Sequence, residues 1–147
     1  MPDTSFDGKS ATHKPLPQCK AFLICEEVEV DDANGRFNLY GLVDSLSFPL
    51  FPANAPPLVM FLQLYDGIGR YALSSELRDL ARGMSVAAEA FTSVEFPERL
   101  VKIDLGLPID SLRLPGPGRY ELAILLDGHE LATQLIDAES ANDDETR

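Results

Sequence analysis

The chain has 147 residues, 45 % of them hydrophobic, no tryptophan, and a formal net charge of −12. That is enough for one globular domain with its own core. The charge argues against nucleic acid, whose phosphates call for clustered Lys and Arg, and against anionic membrane surfaces. No apolar run approaches the ~18 residues of a bilayer span.

In chain order, residues 1–18 are polar, proline-containing and without the apolar stretch of a signal peptide, so a flexible arm and a cytosolic location are expected. Cys19 and Cys25 lie in one extended segment, which at ~3.3 Å per residue holds them about 20 Å apart. A disulfide needs less than about 7 Å, so no bridge between them is expected, in keeping with a reducing compartment. The apolar run Ala21–Cys25 continues through Val28 and Val30 to Asn34-Gly35, a hairpin signal, after which Phe37, Leu39, Gly41 and Val43 are in phase. Counting across that turn pairs Val30 with Leu39 and Val28 with Gly41. Glu26 then shares the face of Val28 unless a β-bulge intervenes at Glu26-Glu27. The bulge is preferred, since it turns both carboxylates outward and brings Leu23 and Cys25 into the core. The alternative is an inward Glu26, a buried carboxylate with acid–base potential.

Phe48–Pro57 holds Pro49, Pro52, Pro56 and Pro57 and reads as an ordered crossover, because proline cannot donate to a strand ladder. Phe48, Leu50 and Phe51 either cap the core or form an exposed interaction patch. Leu58–Tyr65 is almost wholly apolar and reads as a central strand, followed by a turn at Asp66–Gly69. Tyr71–Phe96 fits two patterns. Leu73, Leu77, Leu80, Met84, Ala87, Ala88 and Phe91 follow helical spacing behind a Ser74 cap. Two strands joined at Arg82-Gly83 fit as well, with Tyr71, Leu73 and Leu77 and then Val86, Ala88 and Ala90 inward; consistency with the rest of the chain favours them. Leu100–Leu107 alternates again, and 108–118 is a loop.

The most legible segment is the last. Alternating runs flank Asp127-Gly128, a pair suited to a two-residue type I′ turn. With Leu126 opposite His129, the inward face collects Tyr120, Leu122, Ile124 and Leu126 with Leu131, Thr133 and Leu135. Tyr120, just after Pro-Gly, is placed to bond its hydroxyl to the preceding loop as a tyrosine corner. The whole predicts an antiparallel, immunoglobulin-like β-sandwich of about eight strands over 19–137, with a disordered acidic tail at 138–147 (Asp143, Asp144, Glu145). Open sheets leave edges that permit self-association, with Arg78, Lys102 and Glu130 as candidate guards.

The apolar strand Phe22–Val30, the Asn34-Gly35 turn, the Gly-centred Leu39–Asp44, the proline crossover Phe48–Pro57 and the closing hairpin Gly116–Ile136 together resemble a family of uncharacterised bacterial domains of unknown function. That likeness covers roughly residues 20 to 137 and implies strands across Tyr71–Phe96. It implies no activity, ligand or functional residue.

Constellations with chemical potential are few. Asp31–Gly35 fails the spacing of a calcium loop: Arg36 stands at the third ligand position and the glycine comes too early. Asp66, Asp79, Asp104 and Asp127, in turns and strand ends, offer a candidate acidic cluster at one end of the sandwich. His13 and His129 lack the companions of a metal site or nucleophilic set. No catalytic residue, metal site or cofactor is expected. The function stays unknown, with a non-catalytic protein-interaction module or accessory subunit favoured, a small-molecule or divalent-ion binder as alternative, and an enzyme using Glu26 third.

Overall fold

The computed structural model describes residues 14–141; the outer parts of the expected arm and tail, 1–13 and 142–147, lie outside the described residues. Within that span the chain is all-β, and Tyr71–Phe96 forms two strands, not a helix. The strands are β1 (Gln18–Val30), β2 (Phe37–Leu42), β3 (Ser45–Phe48), β4 (Ala53–Asn54), β5 (Leu58–Tyr65), β6 (Gly69–Asp79), β7 (Met84–Phe96), β8 (Lys102–Ile109), β9 (Arg113–Leu114), β10 (Gly118–Leu126) and β11 (His129–Ser140). Eleven strands replace the expected eight or so. The short β4 and β9 lie in segments read as irregular, where brief pairing leaves no alternation to see, and β3 separates from the end of the run after Asn34-Gly35 that reads as one strand with β2.

One sheet has the order β2-β1-β5-β8, a second β3-β11-β10-β6-β7, and β4 pairs with β9. Both large sheets contribute to one buried cluster that includes Ile24, Met60, Leu62 and Leu64 from the first and Tyr71, Leu77, Phe96, Tyr120, Ile124 and Ile136 from the second. Only β3 runs parallel to its neighbour, pairing Ser45–Phe48 with Asp137–Ser140 of β11. Strand β11 therefore runs through Ala138–Ser140, which the sequence placed in the tail. At the other end, Lys14–Pro17 is not free: the Tyr71 hydroxyl donates to the Pro15 carbonyl at 2.7 Å, and the Lys14 ammonium meets Asp127 at 3.1 Å.

β5 is apolar over most of both faces, one buried and the other half-buried. Its Met60–Leu62–Leu64 face meets the main core. Its back is covered by the far end of β1 and β2. Near Glu26 and Gly41 this ribbon turns over, with Gly41 at φ +68°, where a Cβ would collide with the Glu26 carboxylate. Beyond the twist, Val28 and Phe37 lie over Gly106 of β8, and the Phe37 ring packs on Phe61 with centroids 5.2 Å apart.

Several registers differ from the sequence reading. No bulge forms at Glu26-Glu27; the β1–β2 register is uniform, with Val28 opposite Leu39 and Val30 opposite Phe37, while the irregularity of β1 falls between Cys19 and Ala21. The pairing is offset by two residues because Asp31–Arg36 forms a wider loop, closed by Asp31 N–H to the Arg36 carbonyl at 2.8 Å and Gly35 N–H to Asp31 at 2.7 Å. An even offset keeps the same face. Bulges decide the other two cases. Between Ile124 and Leu125 the β10–β11 register shifts, so Leu131 falls out of step and Ala132, Gln134 and Ile136 oppose Ile124, Leu122 and Tyr120. Thr133 and Leu135, expected inward, are exposed. In β7 two shifts put Ala87 opposite Leu77 and Val94 opposite Tyr71; Val94 is buried and Val86 packs against the core, while Ala88 and Ala90, expected inward, are exposed along with Ala87.

Candidate functional site

At one end of the second sheet, β6 stops at Asp79, which is 1 % exposed. Burial alone would raise its carboxyl; the Arg82 guanidinium and nearby backbone N–H groups outweigh that and hold it below the usual carboxylate range. Arg82 Nη1 donates to Oδ2 at 2.5 Å and the Arg82 N–H to Oδ1 at 3.2 Å, so both oxygens are engaged. Beside this pair the buried Tyr120 hydroxyl donates to the Gly116 carbonyl at 2.6 Å and accepts the Gly116 N–H at 3.1 Å. Both carboxylate oxygens and the hydroxyl are thus bonded internally, and the Leu80 N–H donates to the Arg119 carbonyl at 3.0 Å, so the cluster clasps the β6–β7 turn to the segment that leads into β10.

The opposite end carries a cleft of about 450 Å³ lined by Lys14, Pro15, Leu16, Tyr71, Leu126, Asp127 and His129. Its charges are committed to one another. Asp127 accepts the Ala72 N–H at 2.8 Å and pairs with Lys14, which lower its carboxyl in that order of importance, and the Lys14 ammonium stands 4.2 Å from the centre of the Tyr71 ring. His129 is exposed on the rim.

A third concavity is different in character. Val28, Val30, Phe37, Val59, Gly106 and Pro108 line a groove of about 370 Å³ between the turned-over β1–β2 ribbon and the back of β5 and β8. Its side chains are all apolar, and Val30 stays 51 % exposed. Around it stand the exposed Asp31 and Asp32 at the ribbon tip, Glu27 and Glu29 on the ribbon's other side, and Asp104, two residues from Gly106 in β8. Glu29 accepts the Tyr40 hydroxyl at 2.9 Å, and that bond, with the carboxylate's charge, raises the Tyr40 phenol.

The residues singled out from sequence fall apart in space. Phe48 and Phe51 stack edge-on, with centroids 5.6 Å apart, against the main core, whereas Leu50 is 76 % exposed. The expected patch is thus two core-capping rings and one outlying leucine. Glu26 is exposed over Gly41, not a buried carboxylate: it follows Ile24 on the strand, but β1 has already outrun the covering sheet. Asp66 and Asp127 sit at one end and Asp79 at the other, separated by β6, about 33 Å long at ~3.3 Å per residue. Asp66 pairs with Arg99 at 2.7 Å. Among the described residues no three His, Cys, Asp or Glu side chains are grouped to hold a metal. Cys19 and Cys25 are both free thiols, raised by burial. His13 lies outside the described residues. Of the proposed edge guards Lys102 is on an edge strand, and Glu130 is in the part of β11 that β3, paired only with Asp137–Ser140, does not reach; Arg78 belongs to an interior strand, bonded to Glu130 at 2.8 Å and to Glu76 and Glu121 at 3.1 Å.

Sequence reading missed the groove. Val28, Val30 and Phe37 were legible as one apolar face, but nothing local says that the ribbon turns over and leaves that face half-covered.

No curated protein matches the chain. Among solved structures it is similar to Pseudomonas fluorescens alkylpurine DNA glycosylase AlkC bound to DNA containing an abasic site analog, at 12 % identity and a TM-score of 0.45, a likeness covering 80 % of this chain and 30 % of that one. At that score the similarity carries no argument. A family model described as a family of unknown function, DUF6941, matches residues 20–138.

Proposed function

The chain belongs to the DUF6941 family of unknown function, and from that starting point we propose that it is a non-catalytic, cytosolic protein-interaction module built on an immunoglobulin-like sandwich. Two features support the sandwich reading. The order β11-β10-β6-β7 has the sequence of G-F-C-C′ and β1-β5-β8 that of A-B-E, and Tyr120 bonds back to Gly116 from the start of the strand equivalent to F, as a tyrosine corner does. The free Cys19 and Cys25 fit a reducing compartment. The observation that carries the interaction reading is the groove on the back of the first sheet. Its apolar side chains stay half-open to water, with Val30 51 % exposed, and a partner's side chains would dry that surface. A small-molecule or ion site on loop aspartates finds less support, because those aspartates stand at opposite ends.

Val30→Asp tests the proposal, since the residue is exposed and its replacement leaves the core untouched. Proteins retained from native lysate by the wild-type chain should be lost from the variant while its circular dichroism and melting temperature stay the same. An identical set of retained proteins would refute the groove as the docking site.

A further inference from the structure

We infer that the groove between the β1–β2 ribbon and β8 receives a cationic peptide segment, one that presents one or two aliphatic side chains flanked by Lys or Arg. This rests on the docking reading above and adds the chemistry of the occupant. The apolar part follows from the lining: the side chains of Val28, Val30, Phe37, Val59 and Pro108 offer no hydrogen bond, so the ligand side chains that gain by lying against them are apolar ones. A volume of about 370 Å³ suits a few side chains rather than a folded surface.

The charge part follows from the surroundings. The ribbon carries Glu26, Glu27, Glu29, Asp31 and Asp32 against Arg36 alone, and all of these side chains are exposed. Asp104 adds a carboxylate on the groove side of β8, countered by Lys102 at the strand's start. At physiological salt the screening length is about 8 Å, so carboxylates on both sides of a ribbon act on a ligand in the groove. The surface therefore repels acidic segments, including those of a second copy of this chain, and attracts basic ones. Gly106 helps, because its missing side chain opens the floor: a Cβ there would stand 3.4 Å from Val28.

The test uses the full chain and three fluorescent peptides that alternate valine with lysine, with serine, or with glutamate, read by anisotropy at low and high salt. The lysine peptide should bind about tenfold or more tighter than the serine peptide, and the glutamate peptide should not bind. Val30→Asp should abolish binding, and Asp32→Asn with Asp104→Asn should weaken the lysine peptide several-fold while sparing the serine peptide. Equal binding of the serine and lysine peptides, both lost in Val30→Asp, would overturn the cationic occupant and leave the apolar docking site standing. Lysine-peptide binding that survives Val30→Asp would be adhesion to the acidic surface and would overturn the inference. Failure of all three peptides to bind would do so too.

Discussion

Tyr120 shows how much one hydroxyl can hold. It both donates to and accepts from the backbone of Gly116 inside a fully buried site, so both polar backbone groups of that residue are satisfied by a single side chain. Tyr120→Phe keeps the ring packing but strands a buried N–H and C=O. A loss of about 1–3 kcal/mol is expected, seen as a lower urea midpoint at unchanged m-value; a midpoint equal to wild type would contradict this. Nearby, Asp79 makes stability depend on pH. Its folded carboxyl is held below the unfolded value of about 3.9. It thus binds protons less readily when folded, and its contribution is complete above about pH 4 and disappears as pH falls through the folded value. Asp79→Asn should lower the melting temperature near neutrality, and the gap from wild type should close in acid. A gap that stays constant down to about pH 3 would argue against the Asp79–Arg82 pair as its source. Asp79 and Tyr120 were both visible in sequence, Tyr120 as a corner candidate and Asp79 only as a loop acid. The alternation of Tyr71, Leu73 and Leu77 puts Asp79 on the inward face, but that β6 extends far enough to bury it depends on the strands alongside.

At the scale of single elements, the deciding features are bulges. A strand's alternation assigns faces only until an extra residue is inserted, after which every following side chain points the other way. In β11 the out-of-step Leu131 has this effect: Ile136 becomes fully buried while Leu135 stands in solvent. The inward Gln134 is accommodated because its amide donates to the Phe22 carbonyl of the facing sheet at 2.8 Å. Two alanine replacements read the parity directly. Ile136→Ala should cost about 2–5 kcal/mol in chemical denaturation, whereas Leu135→Ala should stay within about 0.5 kcal/mol of wild type. The reverse order would restore the unbulged hairpin that sequence alternation predicts. In β7 the same device, used twice, interrupts a long edge strand at the side of the molecule where an unbroken ladder would invite another chain.

Across the whole molecule, the β class, the turns at Gly83 and Asp127-Gly128 and the central place of β5 were all legible in the 147 residues. They depend on neighbours in sequence: alternation, turn chemistry and runs of apolar side chains are properties of a few consecutive positions. The partners of each strand, the parity beyond each bulge, the turning of the β1–β2 ribbon onto the back of β5 and the half-open groove it leaves were decided only by the tertiary structure. The same holds for the separation of the aspartates and for the clasp between Asp79, Arg82 and Tyr120. Each of these depends on which surface, distant in the chain, arrives to cover a given side chain. The run of residues records that a side chain is apolar or charged, and only the packed sheets determine whether water, another strand or an open groove lies opposite it.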